Sequence, residues 1–77
     1  MFEAFVLLHL EDPSRVKELL GVEGVAEACA VEGECDAVVR LRAETLGKLK
    51  ERVRAVRGLS FVRSTATLIV QRREASL

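Results

Sequence analysis

The order in which two hydrophobic periodicities alternate along the 77 residues limits the folds open to this chain. Apolar residues at every second position predict strands, whereas apolar residues three and four positions apart predict helices. These segments follow one another as strand, helix, strand, strand, helix and strand. The predicted strands cover residues 2–10, 25–31, 37–42 and 61–71, and the predicted helices begin at Pro13 and at residue 44 or 45.

This order is that of the ferredoxin-like β-α-β-β-α-β fold, in which two crossovers place both helices on one face of a four-stranded antiparallel sheet. The sequence therefore predicts an α+β domain that spans residues 1–77, with residues 72–77 as a frayed tail. A domain of this size buries only about 60% of the surface that its unfolded chain exposes. We expect partner subunits to add to its stability.

Short signals set the ends of the helices. Asp12 followed by Pro13 is typical of a helix start, with an N-cap residue and a proline at the first helical position. Gly21 is expected to end this helix after two or three turns, and Gly58 is expected to follow the end of the second helix at residue 57.

The faces of the strands follow from their alternation. The second strand should turn Ala26, Ala28 and Ala30 to one side and Val25 to the other. The first strand has apolar residues on both faces, because Phe5 and Leu7 lie opposite the main apolar row. Two helices cover only one face of a sheet, so we expect a second subunit to pack sheet against sheet over the other face, in a dimer or a ring of dimers.

The composition favours some classes of function over others. Acidic and basic residues balance at 12 each, so we expect no direct binding to nucleic acid. No apolar run approaches the roughly 20 residues of a membrane span, and the chain is expected to be cytoplasmic. The absence of Asn and the preference for Arg over Lys agree with a thermophilic source.

Residues suited to catalysis, redox chemistry or metal binding are few. His9 is the only histidine, and it has no evident catalytic or metal-binding partner in the sequence. Cys29 and Cys35 do not have the CxxC spacing, and both are expected to stay reduced in the cytoplasm. We therefore expect no enzyme activity, no cofactor and no metal site.

A loop and a strand together suggest a ligand site. The loop between the second and third strands offers backbone amides and carboxylates, and the last strand presents two threonine hydroxyls from one face. Such groups suit a zwitterion, although a turn sequence and β-propensity also account for them. The candidate ligand-binding residues are Gly33, Glu34, Cys35, Asp36, Thr65 and Thr67.

The chain resembles the effector-binding half of Lrp/AsnC-family transcriptional regulators, the RAM domain. The resemblance rests on residues 24–28 (GVAEA) leading to 31–36 (VEGECD), and on 57–59 (RGL) leading to 65–70 (TATLIV). It implies a dimer or a ring of dimers that binds an amino acid or a related small effector near the Gly-x-x-Asp loop. Gly33, Asp36, Thr65 and Thr67 match the family's positions, whereas Cys35 stands where the family often has an aromatic residue.

Ordinary members of the family carry a helix-turn-helix domain before this one, and here Met1 leads almost directly into the first strand. The resemblance therefore implies a stand-alone domain that senses a metabolite or assembles with full-length relatives. Three alternatives remain open: an ACT-like regulatory domain, a small ferredoxin-like enzyme of the cofactor-free monooxygenase or isomerase type, and a structural oligomerisation module. The sequence does not identify the effector, the number of subunits or the genes controlled.

Overall fold

The predicted order of elements is confirmed by a computed structural model, which describes residues 1–72 and 74. The first helix is a 3₁₀ helix and the second is an α-helix. The elements are β1 (Phe2–Leu10), the 3₁₀ helix (Pro13–Gly21), β2 (Val25–Ala30), β3 (Ala37–Ala43), α1 (Leu46–Arg57) and β4 (Val62–Ile69). The predicted tail at 72–77 lies mostly outside the described residues.

The four strands form one sheet in the order β2-β3-β1-β4, and all neighbours are antiparallel. This is the ferredoxin-like arrangement that the sequence predicts. Both helices contribute to the same buried cluster, so both lie on one face of the sheet, the covered face. No helix among the described residues is long and apolar enough to cross a membrane.

The core follows the period-two pattern of β1. Ala4, Val6 and Leu8 are completely buried, and their cross-strand partners on β3 are Leu41, Val39 and Ala37. A second set of apolar side chains comes from the helices and packs against this row. Its fully buried members are Leu19, Leu49 and Val56. Burial of each such leucine or valine stabilises the fold by about 1.5–3 kcal/mol relative to an exposed position.

A β-bulge makes the predicted faces of β2 wrong at its first residues. Val25 pairs with Leu41 whereas Glu27 pairs with Arg40, so Ala26 is the extra residue of the bulge. Val25 consequently joins Ala28 in packing against the core, while Ala26 is exposed. A pattern of alternation cannot reveal the shift, because one inserted residue exchanges the two faces of a strand.

The register of β4 decides where its side chains lie. Thr65, Thr67 and Ile69 stand opposite the buried row of β1 and therefore belong to the covered face. Ser64, Ala66 and Leu68 stand opposite His9, Leu7 and Phe5, and these six residues belong to the other face of the sheet, which we call the open face.

Both helices begin with a side-chain cap, and Asp12 is the cap that the sequence predicts. Asp12 accepts hydrogen bonds from the hydroxyl and the backbone N–H of Ser14, and these bonds lower the pKa of Asp12. The stability that this cap contributes is therefore fully present at pH values above the ordinary pKa of an aspartate. It is lost as the pH falls through the lowered pKa. Thr45 caps α1 by accepting a hydrogen bond from Lys48 N–H, and Gly58 follows the end of α1 as predicted, with φ −83°.

Gly24 marks the place where the chain enters β2 beneath α1. Its φ is +90°, and a Cβ there would lie 2.3 Å from Cδ of Arg52. Arg52 donates a hydrogen bond of 2.8 Å to the carbonyl of Arg42 and lies 3.5 Å from the carboxylate of Glu23. A side chain at position 24 would displace this arginine.

We expect Gly24→Ala to lower the free energy of unfolding. A left-handed backbone conformation costs a residue with a side chain roughly 1–2 kcal/mol, and the loss should be larger here because Arg52 must also move. Gly47→Ala is the matched control: no atom lies within 4 Å of its added Cβ, and it lies within α1. This control should raise stability by about 0.5–1 kcal/mol. Urea denaturation of both variants measures the difference, and equal stability of the two would contradict the role of Gly24.

Candidate ligand site at the hairpin loop

The loop between β2 and β3 is held against β1 by backbone hydrogen bonds. Val31 N–H donates to the carbonyl of Asp36 at 3.0 Å, and Asp36 N–H donates to the carbonyl of Leu8 at 2.8 Å. Gly33 has φ +137°, a conformation that residues with a side chain rarely adopt. These contacts bring the tip of the loop beside the end of β1.

The Asp36 carboxylate belongs to this anchorage. Its Oδ2 accepts a hydrogen bond of 2.8 Å from the backbone N–H of Leu10, at the end of β1. That N–H is partly buried, and the carboxylate supplies a hydrogen-bond partner for it. The sequence predicts Asp36 as a ligand-binding residue, and the structure shows that its carboxylate holds the loop in place.

His9 connects the loop to β4. Its Nε2 contacts the backbone oxygen of Glu34, and its Nδ1 lies 3.0 Å from the hydroxyl of Ser64. A carbonyl only accepts hydrogen bonds, so Nε2 carries the proton and donates it, while Nδ1 accepts from Ser64 in the neutral ring. The imidazole thus spans the end of the open face from β4 across to the hairpin loop.

A cavity of about 250 Å³ lies beside this histidine. Its walls are Glu34 and Cys35 from the loop, Leu7 and His9 from β1, and residues 64–66 from β4. A neighbouring cavity of about 280 Å³ is lined by His9, Arg63 and Ser64, so the His9–Ser64 pair separates the two. Most of the lining of the first cavity is apolar, and hydrogen-bonding groups lie at its rim. Many small-molecule sites have this composition.

The structure brings some of the predicted residues together and separates others. Glu34, Cys35 and Thr65 line the first cavity. Gly33 and Asp36 shape the loop without lining that cavity. Thr67 lies on the covered face and borders a groove beside α1. Both threonines share one face of β4, as the sequence predicts, but within one chain only Thr65 lies beside the loop.

Sequence reasoning did not place His9, Ser64, Leu7 or Ala66 in the site. His9 is the single histidine and has no evident partner in the sequence, and no local pattern gives the register that sets Ser64 opposite it. The fold pairs β1 with β4, and the register then sets His9 opposite Ser64. A signal was present in the sequence, since the ferredoxin-like order implies that β1 and β4 are neighbours.

The cysteines and the carboxylates do not gather into a metal site. Cys29 and Cys35 are free thiols. Within residues 1–72 and 74, no group of three or more His, Cys, Asp or Glu side chains could hold a metal ion.

The rest of the open face divides into an apolar part and a charged part. Phe5, Leu7 and Leu68 form the apolar part, and the side chain of Leu68 is 57% exposed. In the charged part, Arg40 lies 3.0 Å from the Glu3 carboxylate and 3.4 Å from that of Glu27. The hydrogen bond to Glu3 is the main cause that raises the pKa of Arg40. This guanidinium therefore stays charged.

We expect Asp36→Ala to destabilise the domain by about 1–3 kcal/mol, because the partly buried N–H of Leu10 loses its partner. Asp36→Asn keeps an oxygen that can accept this bond and should lose less. Thermal denaturation of the two variants at neutral pH checks the difference. If the alanine variant were as stable as the parent chain, the anchoring role of Asp36 would be wrong.

The architecture and part of the sequence are shared with known structures. Protein TTHA0845 from Thermus thermophilus is 30% identical, with a TM-score of 0.82, and the match covers 99% of this chain and 100% of that one. A feast or famine regulatory protein from M. tuberculosis, solved in complex with L-methionine, is 26% identical with a TM-score of 0.77. That match covers 99% of this chain and 54% of the regulator, so the chain spans about half its length.

E. coli AsnC shares the fold at 17% identity, with a TM-score of 0.78, and the match covers 99% of this chain and 54% of AsnC. No protein-family model and no curated protein sequence matches the chain. The likeness to these regulators extends over almost the whole chain and includes the loop that carries the cavity. The chain thus shares the fold of Lrp/AsnC-family regulators over almost its whole length, and the resemblance predicted from its sequence is confirmed.

Proposed function

We propose that this domain binds an amino acid or a related small metabolite, forms oligomers and acts in transcriptional regulation. The observation that carries the proposal is the cavity at which the hairpin loop meets β1 and β4. Support comes from the related M. tuberculosis regulator, which was solved in complex with L-methionine. We propose a regulatory role, not a catalytic one, and a cytoplasmic location.

In this proposal Glu34 meets the ammonium group of the effector. Its carboxylate is exposed at the rim of the cavity, whereas Oδ2 of Asp36 already accepts a hydrogen bond from the backbone. Leu7 and Ala66 supply apolar contact for the effector's side chain. Arg63 lines the neighbouring cavity across the His9–Ser64 pair and is the proposed partner for the effector's carboxylate.

A second copy of the chain covers the open face in this proposal. Phe5 and Leu7 are only half-buried and Leu68 is exposed, so packing against another sheet removes further apolar surface from water. The cavity lies on the same face and would then be at the boundary between subunits. An effector bound there stabilises the assembly to which it binds more tightly.

The domain would act on transcription through its partners. Its acidic and basic residues are equal in number, which disfavours a direct role in DNA binding. Assembly with full-length regulators that carry a DNA-binding domain would transmit the effector signal to DNA. Co-purification of the tagged chain with such a regulator, compared in the presence and absence of effector, tests this part of the proposal.

A thermal-shift screen against the twenty amino acids, with light scattering on the same samples, tests the effector. A ligand at about 100 times its Kd stabilises the folded state by about 2.7 kcal/mol and raises the melting temperature. We expect at least one amino acid to do so and to change the mass of the assembly. If no amino acid shifts the melting temperature and the mass stays constant, a structural oligomerisation module becomes the better explanation.

We expect Glu34→Gln to weaken effector binding about tenfold, equivalent to about 1.4 kcal/mol, because an ammonium group loses its charged partner. Glu32→Gln is the matched control, since Glu32 is an exposed carboxylate of the same loop that does not line the cavity. Calorimetric titration measures both affinities. Equal losses in the two variants would contradict the placement of the effector at Glu34.

The hydrogen bond between Ser64 and His9 supports a second candidate, a small ferredoxin-like enzyme with His9 as general base. A hydroxyl within reach of an oriented imidazole is a feature of nucleophilic catalysis. A screen for ester hydrolysis and for isomerisation, repeated with His9→Ala and Ser64→Ala, separates the candidates. Turnover that both substitutions abolish and that Ser60→Ala preserves would favour the enzyme.

A further inference from the structure

The outer edge of β4 has no strand beside it in the part of the chain that the structure describes. Val70 N–H donates to the carbonyl of Glu3, which sets the alternation of hydrogen bonds along this strand pair. Every second residue of β4 therefore turns its N–H and C=O away from β1. These outward groups belong to Thr65, Thr67 and Ile69.

This edge differs from the other free edge of the sheet. β2 has six residues and is interrupted by the bulge at Ala26, a device that discourages pairing. β4 has eight residues, and Arg63 is its only charged residue. Its exposed side chains include Leu68, at 57%, and Ile69, at 42%. The outer edge of β4 is thus long, regular and partly apolar.

A groove of about 210 Å³ lies between this edge and α1. Thr67 and Ile69 form one wall, and Lys50, Arg54 and Arg57 stand on the other. Within the described residues, none of these cations lies within 4.0 Å of a carboxylate. The groove therefore combines unpaired backbone groups with uncompensated positive charge.

We propose that an extended acidic segment of a partner polypeptide adds to β4 as a further strand and places its carboxylates in this groove. Alternate residues of a strand are about 6.6 Å apart and point to the same face. Lys50, Arg54 and Arg57 follow one another by about 6 and 4.5 Å along the helix axis. Successive carboxylates on one face of the added strand can therefore each reach a cation.

A partner of this chemistry fits better than a second copy of the chain. Two copies paired edge to edge about a twofold axis would each bring Lys50, Arg54 and Arg57 to the same junction, where like charges repel. An acidic strand compensates these charges and also satisfies the outward backbone groups, which is the mode of recognition known as β-strand addition.

This site is independent of the proposed effector site. The groove lies on the covered face beside α1, whereas the cavity at the hairpin loop lies on the open face. Binding of an acidic strand can therefore be measured on the parent chain without any effector, and failure of one proposal leaves the other standing.

The test uses a fluorescein-labelled peptide of alternating Glu and Thr, about ten residues long, and follows its anisotropy as the chain is added. We expect saturable binding that weakens as salt is raised. The double variant Arg54→Glu/Arg57→Glu should bind about tenfold more weakly, the loss expected when exposed ion pairs become repulsive. Lys17→Glu/Lys48→Glu is the control with the same change of net charge and should retain the parent affinity.

Peptides with methylated amides separate strand addition from simple attraction between charges. Methylation of every second amide removes the donors along one edge of the peptide. We expect one of the two methylated series to lose binding and the other to keep it. The proposal is overturned if both series bind like the parent peptide, if a Lys-Thr peptide binds as well as the Glu-Thr peptide, or if the Arg54→Glu/Arg57→Glu variant binds with unchanged affinity.

Discussion

Burial of one face of β1 is the constraint on which the rest of the molecule depends. β1 lies between β3 and β4, and Ala4, Val6 and Leu8 are completely excluded from water. Because strand side chains alternate, this burial determines which residues of β1 appear on the open face. His9 and Leu7 reach the candidate site for this reason. A register shift of one residue would remove both from the cavity and place them in the core.

The candidate site depends on the C-terminal end of β1. Leu10 N–H donates a hydrogen bond to the carboxylate of Asp36, and the N–H of Asp36 donates one to the carbonyl of Leu8. One loop residue thus ties the hairpin to the central strand twice, and Glu34 and Cys35 follow it into position. The Gly-x-x-Asp pattern is explained here as loop architecture: the glycine permits the turn and the aspartate anchors it.

The sheet also presents two surfaces with different chemistry. The open face carries an apolar part and the Arg40 ion pairs, and it suits a partner with a similar flat surface. The edge of β4 carries unpaired backbone groups beside cations of α1, and it suits an extended acidic chain. We propose that these surfaces bind different partners, so the chain can form oligomers and bind an acidic strand at the same time.

The sequence by itself determined the order of the elements, the fold and most of their boundaries, because period-two and helical apolar patterns are local properties. It also identified the loop at 33–36 as a special segment. Only the tertiary structure decided which side chains meet. The bulge at Ala26 exchanged the faces of β2, the pairing of β4 sent Thr67 to the covered face, and the same pairing joined Ser64 to His9. Register is set by contacts between distant segments, and no local pattern records it.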